Sequence, residues 1–171
     1  MPLTIVLLVA VGAAASPPQL TGIGPHIRPL SSEAGELLQQ ARRRSPTIAD
    51  LASTIDVSDV IVFLDVSWEP SPLIGRTTIF GASDQARFLH VWVSGRLSAD
   101  RVVQALGHEL QHVVEIAQTA AIRDTHSLGL AYSRMGWQFE SGHFETDQAR
   151  LIEELVGKEI AASRPTHKRR E

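Results

Sequence analysis

The sequence predicts an α+β domain, and three observations carry that prediction. Apolar residues recur at helical spacing early in the chain, in β-branched runs through the middle, and at helical spacing again after residue 98. The chain has 171 residues, 43% of them hydrophobic and 20% charged, which suits one soluble domain with a substantial core. Cysteine is absent, so disulfides and thiolate sites are excluded, and a transition-metal site must be built from His and carboxylates.

The chain opens on MPLTIVLLVAVGAAASPP, an apolar run shorter than the roughly 20 residues of a spanning helix. Ala13, Ala14 and Ala15 form an A-x-A-like cleavage site before Ser16, so residues 1–15 read as a signal peptide, although no Lys or Arg precedes the run. The expectation is an exported protein, periplasmic or secreted, with no stable membrane insertion after cleavage. Residues 16–30 (SPPQLTGIGPHIRPL) are rich in Pro and Gly and read as a linker or extended segment, with His26 an ordinary loop histidine.

The domain proper is expected over residues 31–163. SSEAGELLQQARRR (31–44) begins with Ser and Glu and ends with Arg, which suits the caps and dipole of a helix. Ser45 and Pro46 read as the N-cap and first residue of a second helix reaching about Ile55. DVIVFLDVSW (59–68), GRTTIF (75–80) and RFLHVWVSG (87–95) are three strands, the last two joined by the turn GASDQA. Ser98 then caps SADRVVQALGHELQHVVEIAQ, and further helices follow over 125–136 and 144–162. Residues 164–171 form a basic tail, read as a solvated end. With a net charge of −3 and no basic stripe interleaved with aromatics, nucleic acid is not an expected partner.

The segment GHELQHVVE (107–115) contains His-Glu-x-x-His. With 7 His and 11 Glu in 171 residues, shuffling produces this pattern roughly 0.02 times per chain. On a helix, His108 and His112 differ by about 40° in direction and 6 Å in height, so two imidazoles can meet one tetrahedral Zn²⁺. A wheel centred on Leu106 puts Val102, Val103, Leu110, Val113, Val114 and Ala117 on an apolar arc. His112 and His108 lie about 120° and 160° from its centre. The helix therefore turns its main core contact away from both histidines. Glu109 points between them and the arc, placed to hydrogen-bond a water without coordinating metal. A solvated polar face fits the same placement.

The stretch ALGHELQHVV resembles the active-site helix of the zincin superfamily of metallopeptidases. The three preceding strands resemble, more loosely, the small sheet that packs on that helix. The resemblance implies a small gluzincin-like member with a three-stranded, mainly antiparallel sheet and further flanking helices. The chain is similar also to small, uncharacterised bacterial exported proteins with a GHELQH segment and a later aromatic-Glu-Thr segment, here Phe144-Glu145-Thr146.

Zincins complete their site with a downstream ligand, but neither the metzincin extension nor a clear gluzincin segment is present. The candidates are Glu115, His126, Glu140, His143, Glu145 and Asp147. On a wheel of the last helix centred on Ile152, Ala149, Leu155, Val156 and Ile160 form an apolar arc and Glu145 lies about 20° from its centre, whereas Asp147 faces solvent. A core-facing carboxylate is costly unless paired or metal-bound, which favours Glu145 as ligand. Glu159 falls in the same arc, with the helix end as its escape to solvent. Glu115 suits a supporting bond to His112.

The expected chemistry is metal-assisted peptide hydrolysis of a peptide or protein substrate. Zn²⁺ would lower the pKa of the attacking water from about 15.7 towards 7. Glu109 would take its proton and pass it to the leaving amine, with Tyr132 or His143 as a further oxyanion donor. An edge strand around 87–94 could hold an extended peptide by β-augmentation. The competing readings are a non-catalytic exported scaffold with a structural metal or none, and amide hydrolysis on cell-wall material.

Overall fold

The computed structural model describes residues 25–135, 137–138 and 144–164. The expected signal peptide, most of the linker, Glu140, His143 and all but the first residue of the basic tail lie outside the described residues. Five helices and a mixed four-stranded sheet form an α+β layout. Among the described residues, no helix is long and apolar enough to cross a membrane.

The first helices begin where local chemistry starts them. Helix α1 (Ser32–Arg44) is capped by Ser31, whose hydroxyl accepts from the Ala34 amide, and ends in Arg42, Arg43 and Arg44. Helix α2 (Pro46–Asp56) follows at once, with Ser45 accepting from the Ile48 amide and Pro46 at the first position. Ser45 and Thr47 also donate to the Glu159 carboxylate, so Glu159 does not escape to solvent but ties the last helix to the start of α2.

The sheet differs from the antiparallel, three-stranded expectation. A short strand, β1 (Ile27–Pro29), pairs in parallel with β2 (Val60–Ser67) from within the segment read as linker. Pro29 lacks an amide donor and sits on this edge strand, where the loss is tolerated. Strand β4 (Arg87–Ser94) pairs in parallel with β2 and antiparallel with β3 (Gly75–Ala82), so the spatial order is β1-β2-β4-β3. A parallel pair needs a long crossover, and α1 with α2 supplies it between β1 and β2. Because β4 inserts between β2 and β3, the segment 87–94 is central and β3 is the edge.

One face of the sheet, with Val62, Leu64, Ile79, Leu89, Val91 and Val93, packs on Leu38, Ile48, Ile55 and the long helix α3 (Ala99–Gln118). Ser98 stands at the N-cap of α3 but makes no side-chain capping bond. Helix α4 (Thr125–Met135) and a two-stranded ribbon, β5 (Trp137–Gln138) with β6 (Phe144–Glu145), lead into α5 (Asp147–Ala162). Thr146 is extended at φ −126° and accepts from the Ala149 amide, which starts α5 after Glu145 rather than before it. Glu145 is therefore a strand residue, and the wheel that placed it in the last helix began too early.

The buried stripe of α5 is Ala149, Val156 and Ile160, while Leu155 is 43% exposed. The centre of that stripe lies about 60° round the helix from Ile152, the centre of the expected arc, and Glu153 lies on its far side. Its neighbour is α3, and a Cβ on Gly107 would meet Val156 Cγ2 at 2.8 Å. The glycine that precedes His108 is what lets α5 lie against the motif helix.

Candidate metal centre

The motif helix is buried on nearly every side rather than on one arc. Glu109 and His112 are each 6% exposed and Gln111 7%, covered by the layers that α5 and β3 add to the Leu106 face. Burying two imidazoles and a carboxylate is costly without partners, and each of these groups has specific ones.

His108 and His112 turn their rings toward one another, with Nε2 atoms 3.2 Å apart. Two imidazole lone pairs cannot face each other at that distance, so the pair takes a proton or a cation between them. Glu145 Oε1 lies 3.4 Å from His108 Nε2 and 3.9 Å from His112 Nε2. One donor atom from each residue, all within 4.8 Å of one another, makes a cluster that could hold a metal ion. His112 Nδ1 lies 2.9 Å from Glu115 Oε2, which directs the ring proton to Nδ1 and leaves Nε2 as the free acceptor.

Glu115 is the hub of the supporting bonds. It accepts from Thr146 Oγ1 at 2.7 Å and from the Tyr132 hydroxyl at 3.0 Å. Burial alone would raise its pKa, but His112, Thr146 and Tyr132 outweigh burial and hold the carboxyl below its ordinary value. Tyr132 is buried, 3.3 Å from His112 Nδ1, on the side of the ring away from the donor nitrogen Nε2. Desolvation and the Glu115 charge keep its hydroxyl protonated. This geometry engages the Tyr132 hydroxyl with Glu115, and Tyr132 also lines the cleft over the three donors.

Glu109 does not join the three donors. Its Oε2 accepts from the Thr77 hydroxyl at 2.7 Å, and burial raises its pKa despite the opposing pull of His112 and Thr77. The carboxylate is packed against β3: a Cβ on Gly75 would stand 2.8 Å from Glu109 Oε1 and 3.0 Å from its Cγ. Gly75→Ala is therefore expected to displace Glu109 with little change in metal affinity. In the zinc hydrolase proposed below, turnover should then fall about 10–100-fold, as a misplacement near 1 Å costs; steady-state kinetics beside a zinc titration would check this.

Glu153 was not singled out from sequence. Its Oε2 lies 3.2 Å from His108 Nδ1, off the line of the ring N–H, and its other oxygen accepts from Arg101 at 2.9 Å. Burial disfavours His108 protonation, yet Glu153, Glu109 and Glu145 outweigh it and raise its pKa. The signal was present in α5, where Glu153 falls on the stripe of Ala149, Val156 and Ile160 at spacings of four, three and four. Thr77 and Thr146 gave no comparable signal, because nothing local marks a hydroxyl as a partner of a distant carboxylate.

The remaining candidates separate cleanly. His126 and Asp147 are exposed, and Glu140 and His143 are outside the described residues. His90 stands half-buried on β4, away from the cluster, and His26 is buried with Nδ1 3.0 Å from the Ile55 carbonyl oxygen. A cleft of about 570 Å³ opens over His108, Glu109, His112 and Glu145, with residues 75–79 of β3 as its opposite wall. Compared with protein-family profiles, curated proteins and solved structures, the chain has no match in any of the three.

Proposed function

We propose that this chain is a zinc-dependent hydrolase, an exported metallopeptidase that cleaves peptide bonds at the His108–His112–Glu145 cluster. The observation that carries the reading is the convergence of the three donor atoms beside a buried, non-coordinating carboxylate, under an open cleft. Two donors on one tetrahedral Zn²⁺ at about 2.1 Å stand roughly 3.4 Å apart, and the separations here are 3.2, 3.4 and 3.9 Å. Two histidines and one glutamate are also a donor set of catalytic zinc sites, which keep a fourth position open.

Zn²⁺ held by His108, His112 and Glu145 would supply Lewis acidity and lower the pKa of the attacking water towards about 7. Everything else falls to the chain. Glu109, fixed by Thr77 and raised in pKa by burial, takes the proton of the attacking water and delivers it to the leaving amine. Glu115 holds the His112 imidazole in orientation through its bond to Nδ1, and Glu153 places a negative charge beside His108. An extended substrate docks along β3, the edge strand that walls the cleft, and not along 87–94, which is enclosed by β2 and β3. Export rests on the apolar run of residues 1–15.

Zinc content and proteolysis of an unfolded protein substrate test this together. The expected result is one zinc per chain and zinc-dependent peptide cleavage, with His112→Ala losing the metal and the activity. A wild-type chain that contains no zinc and gains none on titration overturns the metal site. One that binds zinc yet cleaves no amide bond overturns the hydrolase reading and leaves a scaffold with a structural metal.

A further inference from the structure

The face of the sheet opposite the core carries an aromatic surface that the hydrolytic site does not use. Along β4, Leu89, Val91 and Val93 enter the core, whereas Phe88, His90 and Trp92 alternate to the other side and stay partly exposed. The strand register sets Phe63 and Thr78 on either side of His90, and Asp65 and Arg76 on either side of Trp92. Phe80 is 62% exposed, with its ring 5.7 Å from that of Phe63 and 6.3 Å from that of Phe88. Contiguous exposed apolar patches of this kind mark interaction sites.

The charges on this face indicate the occupant. Asp65 and Arg76 flank Trp92 two strand spacings apart, about 10 Å, and neither has an ion-pair partner among the described residues. A twofold axis along β4 exchanges the β2 side with the β3 side. It brings Asp65 of a second copy over Arg76, Arg76 of that copy over Asp65, and Trp92 over Trp92. The other in-plane axis, across the strands, stacks β2 on β2 and gathers charges of like sign. Self-complementarity about one axis is what an isologous dimer requires.

We propose that this chain forms a homodimer by stacking the outer faces of its two sheets about an axis along β4. The Asp65–Arg76 pairs close the rim, and Phe63, Phe80, Phe88 and Trp92 fill the centre. Aligned sheets pack about 10 Å apart through interdigitating side chains. Thr77 and Gly75 face the other way, toward Glu109, whereas Arg76 and Thr78, on the stacked face, also line the cleft. Three strands of eight residues give a face of about 26 by 14 Å, a small footprint at the weak, reversible end of specific association.

Sedimentation velocity of the purified chain from about 1 to 300 µM tests the proposal, with Kd as the readout. Wild type should be a reversible dimer. Asp65→Arg and Arg76→Asp should each weaken it by about tenfold or more, and the double exchange should restore it to within about threefold, since opposed charges cost what matched ones gain. Phe80→Ser, an exposed position whose fold is checked by circular dichroism, should also dissociate it. A wild type that stays monomeric throughout overturns the proposal, and so does a covering of this face by residues 1–24. Single exchanges without effect, or a double exchange that fails to rescue, overturn it equally.

Discussion

Glu109→Gln is expected to lower kcat by about 10²–10⁴-fold while the chain still binds one zinc, because general-base catalysis contributes about that much. The two imidazoles and Glu145 form the cluster that could hold the ion, and Glu109 is outside that set, its Oε2 occupied by the Thr77 hydroxyl. Gln has the same shape and keeps a carbonyl oxygen for Thr77, but it cannot take a proton. Burial already disfavours the charged form of Glu109, so the neutral amide should hold or raise the melting temperature, a common trade of activity for stability at catalytic positions. The decisive comparison is kcat against zinc stoichiometry. Loss of metal together with activity would make Glu109 structural, and retained turnover would remove it from the mechanism.

The helices and the pair of histidines were legible because their signals are local. Ser31, Ser45 and Pro46 mark helix starts by bonds made within three residues. The spacing of His108 and His112 follows from the pitch of one helix. Pairing direction in the sheet is not local. VIVFLDVS reads alike in a parallel or an antiparallel partnership; the crossover through α1 and α2 sets its direction against β1, and the path through β3 sets it against β4. Strand β1 escaped notice because three residues that include a proline carry almost no pattern. Glu145 is the instructive case: the sequence argument reached the residue that completes the cluster, but by assigning it to a helix. What places it there is the ribbon of β5 and β6, with Thr146 starting α5 one residue later.

Arg87 carries the largest stability effect expected of any single side chain. Sequence alone reads it as the polar start of a strand, yet it is fully buried. Its guanidinium bonds both Asp59 oxygens, at 2.9 and 2.5 Å, and donates to the carbonyls of Ile116, Ala117, Thr119 and Ile122 at 2.6 to 3.1 Å. Those carbonyls belong to the end of α3 and the turn beyond it, where acceptors lack intrahelical partners and the dipole favours a cation. One arginine thus ties β4, Asp59 before β2 and the C-terminus of the motif helix together. Arg87→Met would strand the Asp59 charge in the core and remove the guanidinium from four carbonyls, of which those of Ile116 and Thr119 keep a backbone N–H. Breaking a buried pair from one side costs about 3–5 kcal/mol, a fall of about 10–15 °C in Tm for a domain of this size. Arg87→Lys should recover little, because an ammonium cannot reproduce the planar fork. Asp59→Leu combined with Arg87→Met should recover part of the loss, since no charge is then left unpaired. Calorimetry on the three variants would settle it, and a single Arg87→Met loss below about 1 kcal/mol would mean that α3 is anchored by its apolar contacts alone.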